Sequence, residues 1–555
     1  MVRAFLTALT MEVRGLHTAA YLLASFALLS QLLALLRDRL LAASFGAGET
    51  LDIYYAAFRL PDLLFVGVAS LLSLYALLPV LAKLEEEAPG RAVGFLSRSL
   101  LFFFVTMGAV AGLAYLFAPA LVPLIAPGIA SPELVGLTRI LLLQPILLGA
   151  SNILAALTQL RHRFLLYSVS PLLYNFGIIA GILFLYPTMG VAGLGWGVVL
   201  GAILHVVVQV PFFGKEARSP VPFARVFLGL REALVLSVPR TLALSAGQIS
   251  LVILTALASH MVTGSIAVFM FAWNLQAVPL VIIGVSYSVA AFPTLASLYA
   301  RQEREEFLRH METALRHILF WAVPATLLCV VLRAQLVRAI LGAGAFDWQD
   351  TRLVAAALAL FVLSLAAQSV SLLVARGYYA AGVTSRPLLF ALVSVAVAVG
   401  SALALLFVFS SFQPAQYFLE SLLRVEGIPG TEVLMLALGY CLGAVAAAVV
   451  GLAWFAKDFS MPLLPLRRLG FETFAAAVIG SGCAYGALAL LGGSLNLDTL
   501  SGILLQGLAG GVAGLAATAL VLVVLRNREV FEVAAALRRR LGPSPVALEP
   551  TDVSS

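Results

Sequence analysis

The chain has 555 residues, of which 62% are hydrophobic and only 11% charged. A soluble domain carries roughly a quarter charged residues, and no stretch here is polar enough to form one. With a mean hydropathy of +1.04, this composition excludes a soluble globular enzyme and leaves a polytopic membrane protein. The net charge of +7 reflects basic cytoplasmic loops, which membrane proteins accumulate, and no nucleic-acid partner is expected. Cys329, Cys441 and Cys483 lie far apart in apolar segments and read as small core residues. No metal site and no cofactor are expected.

Taken in order, fourteen apolar runs are long enough to cross a bilayer. They lie near 18–36, 53–82, 93–118, 136–160, 164–186, 190–213, 231–259, 265–298, 313–341, 353–376, 386–409, 432–456, 470–492 and 500–525. The first follows Arg3 and Arg14, lacks a clear cleavage site and reads as an uncleaved membrane helix. Continuous runs without alternation every second residue predict helices, not barrel strands. The second and eighth exceed one straight span, and each holds two prolines: Pro61 and Pro79, Pro279 and Pro293. Bent or broken helices are expected there, with Pro61 and Pro279 as candidate hinges. The chain ends in a basic amphipathic segment (Phe531 to Leu541) and a Pro- and Ser-bearing stretch expected to be disordered.

Placing both termini and the even-numbered links on one side puts 25 of the 34 Lys and Arg residues there. That side is therefore cytoplasmic. The other nine are Arg37, Arg39, Arg59, Arg139, Arg240, Arg333, Arg338, Arg352 and Arg424. An internal repeat is also visible. Ala57-Phe58-Arg59-Leu60 matches Ala272-Trp273-Asn274-Leu275 at an offset of 215, and Gln31 corresponds to Gln248 at 217. Six helices fit one period, so the halves should share orientation about an axis along the membrane normal. The expected architecture is an all-α membrane protein with an N-lobe (1–226), a C-lobe (227–460), two appended helices (461–526) and a cytoplasmic tail (527–555).

The second run carries the most informative charge. A charge at the bilayer centre costs at least a few kcal/mol, so intramembrane arginines face a bundle interior or a wet cavity. Arg59, followed by Leu60-Pro61-Asp62, is the leading cavity candidate; a structural salt bridge to Asp52 or Asp62 is the competing reading. Gln248, Asn274 and Gln276 could donate to sugar or phosphate oxygens, or serve as polar contacts between helices. Arg240, beside Pro239, could add cavity charge or reach the cytoplasmic surface.

Several strings resemble a known family. RDRLLAASFGAGETLDIYYAAFRLPDLL (Arg37 to Leu64), Pro79 to Leu81, Ala126 to Gly128, GQISL (Gly247 to Leu251), GAFDWQDT (Gly344 to Thr351) and GYYAAGVTSRPL (Gly377 to Leu388) fall in the order found in the bacterial lipid II flippases, the MviN/MurJ group. The resemblance implies the multidrug/oligosaccharidyl-lipid/polysaccharide exporter fold, with two six-helix lobes and alternating access. It also implies transfer of a lipid-linked peptidoglycan precursor between leaflets of the inner membrane. Arg37 and Asp38 match the family's Arg-Asp pair, which suits a diphosphate because guanidinium presents a fork to phosphate oxygens. Asp52 falls in the same string and joins the candidate substrate contacts. Gln31, Asp62, Phe65-Val66, Ser70, Asn274 and Ala277 depart from the family pattern, and the charges that grip an anionic headgroup are fewer.

Membrane lipids, a lipid-linked diphosphate glycan and wall-synthesis membrane proteins are the expected partners. The competing functions are transport of another isoprenoid-linked glycan, a non-transporting scaffold for wall synthesis, and a membrane glycosyltransferase. Glycosyl transfer would need clustered carboxylates, for which Asp347 and Asp350 are the nearest pair.

Overall fold

The computed structural model describes residues 16–541 apart from 73, 130, 211–220, 497 and 498. The first fifteen residues, with Arg3 and Arg14, and the Pro- and Ser-bearing end of the tail lie outside the described residues. Every described element is helical. That follows from the solvent: in hydrocarbon each backbone N–H and C=O needs an internal partner, and a helix supplies it within one segment.

Ten described helices are long and apolar enough to cross a membrane, or eleven if Trp348–Val362 and Leu365–Ala380, bent by 42°, form one span. The first, second and sixth expected spans are helical as well, and fourteen passes are consistent with the element order. The second run is broken most. It divides into Glu49–Ala57, Arg59–Gly67, a short 3-10 turn (Ala69–Leu72) and Leu74–Glu87. Pro61 contributes by removing the N–H that would close on Ala57. The eighth passes from Ser265–Leu280 through a π-helical segment, Val281–Val285, into Ser286–Ala300, and Pro279 sits just before that segment. The seventh, Phe223–Ser259, is a 37-residue helix. The expected lobe boundary at 226/227 falls inside it, because Val226, Leu230 and Ala233 pack into the N-lobe core with Val80 and Phe95.

Apolar packing divides the molecule along its length. At one end both lobes contribute to a single core, in which Leu41, Tyr54 and Leu137 meet Ile266, Phe271 and Phe361. At the other end the N-lobe closes around Leu77, Phe95 and Ile153, and the C-lobe around Phe307, Tyr378 and Phe455. The lobes are joined at the end bearing residues 43–48 and separate toward the end bearing Glu85 and Arg161.

The joined end is also stitched by hydrogen bonds. Asp52, buried, accepts from the amides of Gly264 (2.6 Å) and Ala267 (2.8 Å) at the start of the helix Ser265–Leu280. A carboxylate is favoured there by free amides and the helix dipole. Arg39 does not reach out to solvent. Its Nη1 donates to the carbonyls of Ala339 (2.7 Å) and Ile340 (3.2 Å), near the end of Arg333–Leu341. Ala345 N donates to Ala43 O at 2.8 Å, and Ala47 N to Asp350 Oδ2 at 3.1 Å. Gly264 has φ +95°, and a Cβ there would lie 2.0 Å from Ala47 O, so only glycine fits this crossing.

The amphipathic tail is the helix Arg528–Leu541. It docks through an ion pair between Arg316 and Glu529.

Candidate functional site

Directly beneath the joined end is a cavity of about 240 Å³. Arg37, Tyr54, Tyr55, Arg59, Asp62 and Gln144 line it from the N-lobe, and Met270 and Asn274 from the C-lobe. The break at Phe58, between Glu49–Ala57 and Arg59–Gly67, points Arg59 inward. The repeat counterparts Arg59 and Asn274 therefore face one space from opposite lobes.

Arg59 is only 3% exposed. Its Nη2 donates to Met270 Sδ at 2.9 Å, a weak acceptor, and its Nε has no partner. No described carboxylate pairs with it within 4 Å; Asp62 lies on the same cavity wall but beyond ion-pair distance, and Asp52 is committed to Gly264 and Ala267. The structural salt bridge that competed with a cavity role is absent. Two more buried polar atoms on this wall lack partners, Tyr55 Oη and Gln144 Oε1. Buried polar groups in folded proteins are almost always satisfied, so the three orphans around this cavity leave hydrogen-bonding capacity free for a polar occupant.

Arg37 is better compensated. It pairs with Asp38 at 2.7 Å and donates to Asn175 Oδ1 at 3.2 Å. Asn274 Nδ2 donates to the other Asp38 oxygen at 3.1 Å. Asp38 thereby holds Arg37 in place and links it to Asn274 of the other lobe.

Of the other expected residues, Asp52 belongs to the clasp above the cavity and does not line it. Gln248 is half-buried outside the lining. Arg240 lies within Phe223–Ser259, and its side chain lies outside the described residues. Pro61 and Pro279 sit beside helix irregularities, Pro61 within three residues of the cavity wall at Phe58. Asp347 and Asp350 form a capping box for the helix Trp348–Val362, and Asp350 also accepts from Ala47. The pair nearest to a glycosyltransferase's carboxylates is engaged in holding the fold.

Tyr54, Tyr55, Gln144, Tyr174 and Asn175 were not among the candidates. Gln144 and Asn175 carried a signal, each a polar amide next to or near proline inside an apolar run. The tyrosines carried little, since aromatic residues fill membrane-helix interfaces in any case.

Comparison with known proteins identifies the family and the fold. The profile of the family described as "Lipid II flippase MurJ" matches residues 41–490. The "Lipid II flippase MurJ" of Burkholderia cenocepacia is 27% identical over 379 residues, covering 66% of this chain and 73% of that protein. The "Probable lipid II flippase MurJ" of Bdellovibrio bacteriovorus is 29% identical over 407 residues, covering 69% and 75%. Among solved structures, "Lipid II flippase MurJ, inward closed conformation" superposes with a TM-score of 0.70 at 20% identity, covering 91% of this chain and all of that one. An inward-facing multidrug resistance MATE family transporter of the MOP superfamily gives 0.63 at 16% identity, covering 78% and 94%. These two likenesses concern the fold, an all-α arrangement of two lobes, while the profile spans most of the chain. The chain belongs to the lipid II flippase MurJ family.

Proposed function

We propose that this protein moves a lipid-linked diphosphate glycan, lipid II, from the inner to the outer leaflet of the bacterial inner membrane by alternating access. The observation that supports this most directly is the buried guanidinium of Arg59, with no carboxylate within 4 Å, in a cavity shared by both lobes. Burying an unpaired ion costs several kcal/mol, and an anionic diphosphate would return much of that through charge-assisted bonds. The cavity, about 240 Å³, is smaller than the ~300–1,000 Å³ typical of pockets for drug-sized ligands. It fits the diphosphate, while the glycan would extend toward the end where the lobes separate and the lipid tail would stay in the bilayer.

Both termini and the end bearing Glu85 and Arg161 belong in the cytoplasm on this reading, so the conformation described here opens inward. Arg37, Asp38, Arg59 and Asn274 are the proposed substrate contacts, and Pro61 and Pro279 the hinges. The proposed lobes follow the boundaries read from the sequence, with Phe223–Ser259 bridging them. The activity is transport, with membrane proteins of wall synthesis as partners. A different isoprenoid-linked glycan is the second reading, favoured by Gln31 and Asn274 where the family pattern carries arginine.

Complementation of a flippase-depleted bacterium tests the proposal. Wild type should restore growth, and Arg59→Ala and Arg37→Ala should fail at equal membrane levels. Full rescue by both variants would remove these arginines from the mechanism.

A further inference from the structure

A second cavity, of about 660 Å³, opens at the joined end of the molecule, away from the lobe interface. Arg333, Arg352 and Arg424 converge on it, with Gln335, Trp348 and Tyr485 completing its polar and aromatic lining. These arginines belong to the small set on the side that the charge distribution assigns to the outside, where basic residues are scarce. Three of the nine share this one pocket.

Their charges are poorly compensated. Arg352 spends Nε and Nη2 on the carbonyl of Arg424 (2.8 and 2.5 Å) and lies 3.6 Å from Glu426. Arg333 donates to Val330 O at 2.9 Å, and Arg424 to Tyr485 Oη at 3.4 Å. No described carboxylate pairs with either, and the two like charges repel one another. Arg424 also holds a left-handed backbone, φ +61°, at the end of the helix Gln413–Leu423. That position favours glycine, so replacing Arg424 by glycine removes the side chain without straining the backbone.

Depth identifies the occupant. Gln413–Leu423 exposes Tyr417, Phe418 and Leu422, with Phe412 just before it. A short helix with an exposed apolar face lies in the boundary between headgroups and acyl chains. Exposed Trp348 and Tyr485 suit the same layer. The pocket therefore opens among lipid headgroups, and a cluster of arginines at that depth selects phosphate. Gln335 Oε1, buried without a partner, adds an acceptor for a headgroup hydroxyl or amide.

We propose that this pocket binds the phosphate of an outer-leaflet lipid, supplied by a lipid-linked diphosphate or by an anionic phospholipid. Only the first source rests on the proposed function. The leaflet rests on the proposed orientation, and the phosphate chemistry on the pocket alone.

The test is native mass spectrometry of the full-length protein in detergent, titrated separately with an isoprenyl diphosphate and with phosphatidylglycerol. Arg37→Gln/Arg59→Gln provides the background in which the central cavity does not contribute. In that background at least one lipid should still bind, and adding Arg333→Gln and Arg424→Gly should weaken it tenfold or more. Arg424→Gly suits the left-handed backbone, so the melting temperature should not fall, and Arg424→Gly alone should already weaken binding. Loss confined to the isoprenyl diphosphate identifies cargo at its exit; loss confined to phosphatidylglycerol identifies a bilayer lipid. Unchanged binding of both lipids, or no binding in the background, would overturn the proposal. The step from wild type to background reads the central cavity independently, so failure of one site is distinguishable from failure of the other.

Discussion

At the scale of residues, the cavity balances on the difference between its two arginines. Arg37 is held by Asp38, whereas Arg59 has no such counterion, so Arg59 should dominate anion binding. A hydrogen bond to a charged group is worth roughly 1.5–3 kcal/mol net. Arg59→Ala should therefore weaken binding of an isoprenyl diphosphate by tenfold or more, as isothermal titration would show, and Arg59→Lys should lose less. Asp62 acts in the opposite sense, as the one carboxylate among the cavity-lining residues. Asp62→Asn, which restores the residue of the family pattern, should tighten binding of the same ligand. Weaker binding would mean that Asp62 orients Arg59 and does not merely oppose its ligand. Arg59 was legible in the sequence because a charge inside an apolar run is expensive wherever it sits. The role of Asp52 was not. Its partners are backbone amides more than 200 residues away, and amides leave no trace in residue identity.

At the scale of elements, the clasp across the joined end is the part most open to a decisive change. Asp52→Ala would leave the Gly264 and Ala267 amides without their acceptor, at a cost of about 1–3 kcal/mol per orphaned group. The clasp spans the lobes, so that cost falls on this conformation and shifts the population toward opening at the outer end. A cysteine at the buried Ala57, in a chain lacking the three native cysteines, should then react faster with an impermeant maleimide. Unchanged labelling would show that the apolar core holds this end closed without Asp52. At the opposite end, burial pushes the Glu85 carboxyl up, but the amides of Gly90 and Ala92 and the Arg161 guanidinium outweigh it and hold it below its ordinary value. A carboxylate depressed in the folded state stabilises above its unfolded pKa, and that contribution is lost as pH falls through the folded value. The Glu85 side chain is 18% exposed and its partner Arg161 30%, so solvent still screens the pair and the effect is small. Between about pH 6 and about pH 3, spanning the ordinary carboxylate range, wild type should lose slightly more melting temperature than Glu85→Gln. The helix break in the second run was readable from length and proline content, whereas the eighth run stays continuous from Ser265 to Ala300. The π-helical segments after Ala180 and Leu280 were not readable, because the extra residue in such a turn is set by packing against neighbouring helices and not by local preference.

At the scale of the whole molecule, the apolar cores set what the proposed alternating access must change. One core is shared by both lobes at the joined end and each lobe keeps its own at the other, so opening the joined end has to part the shared core while the separate cores stay packed. The lobes and the general position of the cavity could be read in advance, since hydrophobic run length and an internal repeat are properties of the sequence itself. Which end is closed could not, because both conformations bury the same residue types and differ by interactions worth a few kcal/mol. The central claim is that Arg59 is the charge through which the cargo's diphosphate is carried across. Its most direct test is leaflet transfer of a fluorescent lipid-linked diphosphate in vesicles containing wild type or Arg59→Ala at equal, equally oriented density. Wild type should transfer the lipid, and Arg59→Ala should lose at least nine-tenths of the rate while melting at an unchanged temperature. Equal rates in the two preparations would contradict the claim.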